Sequence, residues 1–319
     1  GGIRRPRRAM VVLVPPEVLH RTPSREHGVR PAMERRLRAA GVAAIQRAAV
    51  LLKLPQTTAV SAAAILQRFF FRRSLLEFGI HAAAQAALLL ACKLEETHRR
   101  LRDILLVFHR LRMRSLPCEE GGKAPYEGIP SPAFDSSCAE AVEAKQAVIS
   151  AEGHILRTLG FAVANLLEHP HKYVLQFVKS LKKSNDKAMG LLAQAAWNYL
   201  NDSMRTTLCC EYQPHEIAAV AIHLAARKVG LRLPTTLAWW TVFDCGLEAL
   251  QRIAARIMAL YSGPALDLDA EAARLAAWRA ARLGALGPVC AMSPVATPAP
   301  ETPALETPAP APSPPSDEA

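Results

Sequence analysis

Residues 82–92 read Ala-Ala-Ala-Gln-Ala-Ala-Leu-Leu-Leu-Ala-Cys, apolar almost all the way round a helix, and they constrain the fold more than any other segment. A helix without a polar face belongs at the centre of a bundle. The pattern occurs twice. Sliding the chain by 134 residues lays His81–Lys93 on His215–Arg227, so that His81, Ala84, Ala87, Leu90 and Ala91 meet His215, Ala218, Ala221, Leu224 and Ala225. Leu66 also meets Leu200 without a gap. Two such helices predict two helical bundles in tandem.

The flanking segments keep the same order in both halves. From Met33 to Leu54 apolar residues (Leu37, Val42, Ile45, Ala49, Leu52) recur at helical spacing up to Pro55. Further helices are predicted over 57–73, 80–95, 101–114 and 138–159, the last ending at Gly160. In the second half they are predicted from Pro170 to about 181, over 187–204, over 214–229 up to Gly230, in a short Trp239-Trp240 segment, and over 247–261. Gly121, Gly122, Pro125, Gly128, Pro130 and Pro132 make 115–137 a long surface loop. The predicted plan is all-α: a basic irregular arm over 1–32, one five-helix unit over 33–161, a second over 162–261, and a C-terminal region over 262–319. In that last region Asp269–Gly284 reads as an amphipathic helix. After Pro288 the Pro-, Ala- and Thr-rich sequence has too little apolar surface to offset its ordering entropy, and is predicted to be disordered.

Composition narrows the function. Half of the residues are hydrophobic and the formal net charge is +11. A basic balance suits a nuclear protein near nucleic acid or one docking on acidic partners, and it also follows from codon bias towards Ala and Arg. The seven cysteines form no C-x-x-C pair, which reads as reduced thiols in the cytosol or nucleus with no zinc or other metal site. His169-Pro170-His171 is the one tight histidine pair, and Pro170 there suits the first turn of a helix. No apolar run of about 18 residues predicts a membrane span. Met10–Pro16 is too short for a secretory core, and the start at Gly1-Gly2 leaves the N-terminus open. There is no Gly-rich phosphate loop, H-E-x-x-H, G-x-S-x-G or kinase signature set. Glu95-Glu96 and Glu119-Glu120 fall at a helix end and in a loop, where carboxylates are solvated. The expectation is a binding protein without catalytic residues or cofactor.

Two tandem five-helix domains form the pattern of the cyclin box, and the residues carry the resemblance further. Leu90-Ala91-Cys92-Lys93-Leu94-Glu95-Glu96 resembles the end of the third helix of a first cyclin box. Residues 151–161, Ala-Glu-Gly-His-Ile-Leu-Arg-Thr-Leu-Gly-Phe, resemble the fifth. Leu51–Gln56, Gln67–Phe70, Arg99–Asp103, His169–Lys172, Ala196–Ser203 and Leu224–Arg227 are similar to L-type transcription and splicing cyclins. The resemblance covers about residues 22–261. Three features depart from it: Gln67 stands where cell-cycle cyclins have Asp, Leu37–Val42 shows no counterpart of their docking patch, and a Pro-Thr-Ala tail replaces the Arg-Ser-rich tail of the L type.

The resemblance implies a regulatory subunit that binds and activates a cyclin-dependent protein kinase in the nucleus. Transcription by RNA polymerase II and pre-mRNA splicing are the implied processes, with splicing or transcription factors as further partners and no sequence-specific contact to nucleic acid. It assigns Lys93 and Glu152 to anchoring the kinase, with Leu94, Leu156 and Phe161 as apolar neighbours. The sequence adds that Glu152 falls on an apolar stripe of Val148, Ile149, Ile155, Leu156 and Leu159, and that Lys93 closes an apolar helix. The competing readings are an ion pair between Lys93 and Glu152 within the chain, since the resemblance places their helices side by side, a lysine favouring its helix C-terminus, a solvated Glu152 and three core residues. Ser293, Thr297, Thr302, Thr307 and Ser313 each precede proline and are candidate phosphorylation sites, and Arg4, Arg5, Arg7 and Arg8 a candidate import signal. The rival functional reading is a transcription factor IIB-like cyclin-box scaffold on promoter DNA, which lacks its zinc ribbon here.

Overall fold

The computed structural model describes residues 11–114, 139–161, 163, 167–180, 186–233 and 238–285. The predicted loop 115–137, the tail after Pro288 and Arg4–Arg8 lie outside them. Every regular element among the described residues is helical, and no strand occurs. None of these helices is long and apolar enough to cross a membrane.

The first departure from the sequence comes early. Residues 11–32 are not an irregular arm but carry α1 (Pro16–His20) and α2 (Pro23–Glu26), with Val11, Thr22, Ser24 and Val29 buried. Main-chain bonds hold the segment down. Val11 N donates to Gln213 Oε1 (3.2 Å), Gln213 Nε2 donates back to the Val11 carbonyl (3.1 Å), and Val14 N donates to the Cys210 carbonyl (2.9 Å). Arg68 Nη1 donates to the Val12 carbonyl at 2.9 Å.

A first core is enclosed by α3 (Pro31–Leu51), α4 (Gln56–Phe69), α5 (Ile80–Leu94), α6 (Leu101–Arg114) and α7 (Ala139–Leu159). The all-apolar segment is α5, and every residue from Ala86 to Cys92 is buried. Small side chains let its neighbours close in. A Cβ on Gly41 of α3 would stand 3.0 Å from Ile80 Cδ1 and 3.1 Å from Leu66 Cδ2. α4 ends four residues before the predicted Arg73, because a helix cannot turn Phe69, Phe70 and Phe71 to one side. Leaving the helix buries all three. α3 stops at Leu51, where Lys53 takes φ 51° and Leu54 N donates back to the Ala49 carbonyl (2.9 Å), a left-handed cap that ends the helix ahead of Pro55.

The second core lies among α8 (His171–Ser180), α9 (Asp186–Ser203), α10 (Leu208–Glu211), α11 (Pro214–Val229), a 3₁₀ turn (Trp239–Phe243) and α12 (Leu247–Ala259). α11 occupies the place of α5: it starts 134 residues later, and Ile217–Ile222 are all buried. Its ends are set locally. Gln213 N donates to Glu216 Oε2 (2.9 Å) at the start, and Gly230 takes φ 75° at the stop.

Asn201 at the end of α9 joins the two halves. Gln46 Nε2 donates to its carbonyl (2.6 Å), and Gln56 Nε2 (2.7 Å) and His171 Nε2 (2.8 Å) both donate to its Oδ1. After α12 the chain returns to the first core through α13 (Leu268–Ala285), where Leu268 is buried and Ala272 and Leu275 pack. The buried Glu271 accepts from Arg36 Nε (2.9 Å) and Nη2 (2.5 Å), and from Arg274 Nη1 (2.9 Å).

Candidate partner-binding surface

The charge that ends α5 faces water. Ala91 and Cys92 are buried, and Lys93 follows with its side chain 53% exposed. α7 packs alongside α5, and Glu152, whose side chain is only 11% exposed, accepts from Lys93 Nζ at 2.6 Å. The pair therefore bridges two helices with its ammonium outermost. An ammonium has three donors and a carboxylate about four acceptor positions. No further hydrogen bond of either group exists among the described residues, and the half-exposed ammonium keeps its spare donors towards water above a largely buried carboxylate.

Apolar surface continues from the pair. Leu94 and Leu156 are half-buried against the first core. Gly160, at φ 77°, reverses the chain beyond α7, and Phe161 N closes the helix by donating to the Leu156 carbonyl (3.0 Å). This turn leaves Phe161 itself at φ 61° and 70% exposed. Lys93, Glu152, Leu156 and Phe161 thus follow one another by direct contact or along one helix.

One sequence expectation needs correction. Ile149 is not part of the buried stripe of α7, which consists of Ala141, Val148, Ala151 and Ile155; it is exposed, as is Val142. Val142, Ile149 and Leu156 are seven residues apart and share one face. That spacing is the sequence signal for an outward apolar stripe, and of the three only Leu156 is expected on the partner face from the sequence.

His169 and His171 do not converge. His169 Nε2 lies 3.0 Å from Ser61 Oγ and 3.6 Å from Glu95 Oε1, whereas His171 turns to Asn201. The described residues hold no group of three His, Cys, Asp or Glu side chains placed for a metal ion. Ser293, Thr297, Thr302, Thr307 and Ser313 lie outside the described residues.

Two helical boxes, each wound round an alanine-rich central helix, with a charged and apolar face on the first, define a protein of the cyclin-box class. Residues 17–164 match the family of the cyclin N-terminal domain. Cyclin-L1 of Gallus gallus is 36% identical over 258 residues, covering 81% of this chain and 45% of that protein. Cyclin-L1-1 of Oryza sativa subsp. japonica is 34% identical over 248 residues (78% and 54%), and Cyclin-L2 of Mus musculus 36% over 257 residues (80% and 46%). The chain belongs to the cyclin family and is similar to its L-type members. It spans about half the length of the curated relatives it matches. A chain of the yeast RNA Pol II CTD kinase CTDK-1 complex shares the fold, with a TM-score of 0.59 and 18% identity over 79% of this chain and 73% of that one. A chain of the CAK complex of Chaetomium thermophilum bound to ATP-γ-S does so with a TM-score of 0.53 and 18% identity, over 72% and 65%.

Proposed function

We propose that this chain binds and activates a cyclin-dependent protein kinase through the face formed by Lys93, Glu152, Leu94, Leu156 and Phe161. The observation that carries the reading is the Lys93–Glu152 pair, an ion pair whose ammonium keeps spare donors in water beside exposed apolar side chains. Val142 and Ile149 extend the apolar part of that face. The cyclin supplies surface rather than chemistry. Packing against the kinase's regulatory helix turns that helix inward and brings its glutamate to the lysine that holds the ATP phosphates. Binding thereby favours a conformation that the kinase alone seldom visits.

Charge exchange tests the assignment on the kinase that co-purifies with the full chain. Lys93→Glu and Glu152→Lys singly weaken binding whether the pair is internal or shared. The double exchange restores the internal pair but presents the wrong charges to a kinase. The expected loss is about 2–5 kcal/mol for a buried interfacial charge contact, or tens to thousands-fold in affinity. A folded double variant that binds and activates like the parent removes both residues from the interface.

Similarity to the L-type cyclins supports a finer reading: nuclear residence and a role in RNA polymerase II transcription and pre-mRNA splicing. Arg4, Arg5, Arg7 and Arg8 contribute to import, and Ser293, Thr297, Thr302, Thr307 and Ser313 accept phosphate from proline-directed kinases. A fusion lacking residues 1–9 that stays as nuclear as the full chain makes the cluster dispensable. Phosphate mapping after incubation with the active complex tests whether its own kinase modifies the tail.

A further inference from the structure

A discontinuous stripe of exposed arginine runs from just before α6 along the helix, interrupted by the exposed Asp103. Arg100, Arg102 and Arg110 are exposed, and none lies within ion-pair distance of a carboxylate among the described residues. Arg99 donates to the carbonyls of Leu52 (Nε and Nη2, each 3.2 Å) and His98 (Nη1, 3.1 Å). Those bonds fix the start of α6 beside the exposed Lys53. Asp103 is the single acidic residue of the helix. Several arginines elsewhere are neutralised, among them Arg25 and Arg38 by Glu34, Arg36 and Arg274 by Glu271, Arg205 by Asp202, Arg252 by Glu248 and Arg256 by Glu211, while Arg30 and Arg72 are exposed and have no ion pair among the described residues.

The stripe is fixed in orientation. Ile104, Leu105 and Phe108 on the opposite side are buried in the first core, so the helix cannot turn its arginines inward. Ten residues separate Arg100 from Arg110, roughly 15 Å at 1.5 Å per residue. That length spans several phosphates of one nucleic-acid strand, which rise about 3.4 Å apart along a duplex. The cations are mostly guanidinium groups, whose planar forks match phosphate oxygens better than a point charge does. Phe108 is the only Phe, Tyr or Trp between Lys93 and Arg114, and it is buried. The stripe therefore offers no ring for a base to stack on.

We propose that the exposed cations at the start of α6 and along it, Lys53, Arg100, Arg102 and Arg110, bind the sugar–phosphate backbone of nucleic acid without reading its sequence. The test is fluorescence anisotropy of the full chain on a labelled single-stranded RNA and a labelled duplex DNA across a salt series. Arg100→Gln/Arg102→Gln/Arg110→Gln is expected to reduce the slope of log affinity against log salt by about 2–3, at roughly 0.7–0.9 for each phosphate no longer neutralised. The control Arg30→Gln/Arg72→Gln/Arg252→Gln makes the same charge change on other exposed sites and is expected to leave the slope unchanged. The relative affinity of the two probes tells RNA from DNA as the source of the phosphates. Three results overturn the proposal: no binding of either probe at low salt, an equal loss of slope in the control or in a variant with Arg4–Arg8 neutralised, or displacement of both probes by poly-glutamate at matched charge, which marks an acidic protein as the partner.

Discussion

Arg38, 2% exposed, donates to Gln67 twice: from Nε to Oε1 at 2.9 Å and from Nη2 to the main-chain carbonyl at 2.5 Å. Gln67 is neutral, so it satisfies the donors without balancing the charge. Glu34 balances it, with Oε1 3.2 Å from Arg38 Nη1, while its Oε2 takes Arg25 Nε at 2.6 Å. Burial pulls the Arg38 guanidinium below its ordinary pKa, and Glu34 opposes that pull. Glu34→Gln is therefore expected to cost about 3–5 kcal/mol in denaturant unfolding, the usual result of leaving a buried charge alone. Adding Gln67→Asp supplies a new carboxylate and should return part of the loss. An unchanged denaturation midpoint in the single variant would show that Glu34 does not neutralise Arg38.

The Lys93–Glu152 pair should matter little to the free chain. With the ammonium about half in water, the pair contributes less than about 1 kcal/mol. Removing both charges together, Lys93→Met with Glu152→Gln, leaves no lone carboxylate and is accordingly expected to move the thermal midpoint by no more than about 4 °C. A larger fall would mean that the pair holds α5 to α7, and weaker kinase capture would then reflect a disturbed fold instead of a missing anchor.

Phe161 should show opposite changes in stability and binding. A side chain at φ 61° is strained by roughly 1–2 kcal/mol relative to glycine. Its ring, 70% exposed, gains little from the core in return. Phe161→Gly is expected to raise the unfolding midpoint slightly while weakening kinase binding. A variant that loses both stability and binding would make Phe161 a packing residue.

His171 sets a pH dependence. Asn201 Oδ1 accepts from its Nε2, so the neutral ring carries its proton there, and Nδ1 is buried without a hydrogen-bond partner among the described residues. Protonation would create a buried donor with nothing to accept it. Burial lowers the pKa to about 4 from the ordinary 6.5, while the Asn201 bond opposes the shift. With the folded pKa the lower of the two, the contribution is complete above about pH 6.5 and is lost as pH falls towards 4. Burial also holds His169 below its ordinary value, adding in the same direction. The midpoint of urea unfolding is expected to drop across that window, and His171→Gln should flatten the drop. An equal pH slope in the variant would exclude His171 as its source.

Much of this fold could be read directly from the residues. The all-apolar run 82–92 marked α5, the 134-residue offset marked α11, and Gly160 and Gly230 stand in left-handed conformations where two helices end. Periodicity works where one helix face is buried, as in α6, whose bounds match the expected ones. It gave no sign of α1 and α2, because residues 11–29 are held by main-chain bonds and by small buried polar residues such as Thr22 and Ser24, which leave no repeating pattern. The amphipathic character of α13 was visible, but its docking site was not, since Leu268 and Glu271 find partners hundreds of residues away. At the candidate site, Lys93 and Glu152 stood out as charges among apolar neighbours. Their 2.6 Å contact joins residues 59 positions apart, which no local pattern encodes.

The bond between Val11 and Gln213 has a consequence for the order in which the protein is made. The two residues are 202 positions apart, and ribosomes add roughly 5–20 residues per second. Val11 is thus made some 10–40 seconds before its partner has been synthesised. Throughout that interval α3–α7 can close round α5, but residues 11–14 have nowhere to settle, and Arg68 is the one partner among those named above that is already available. The segment emerging early must dock late, and a nascent chain halted before Gln213 would keep it exposed to chaperones and proteases.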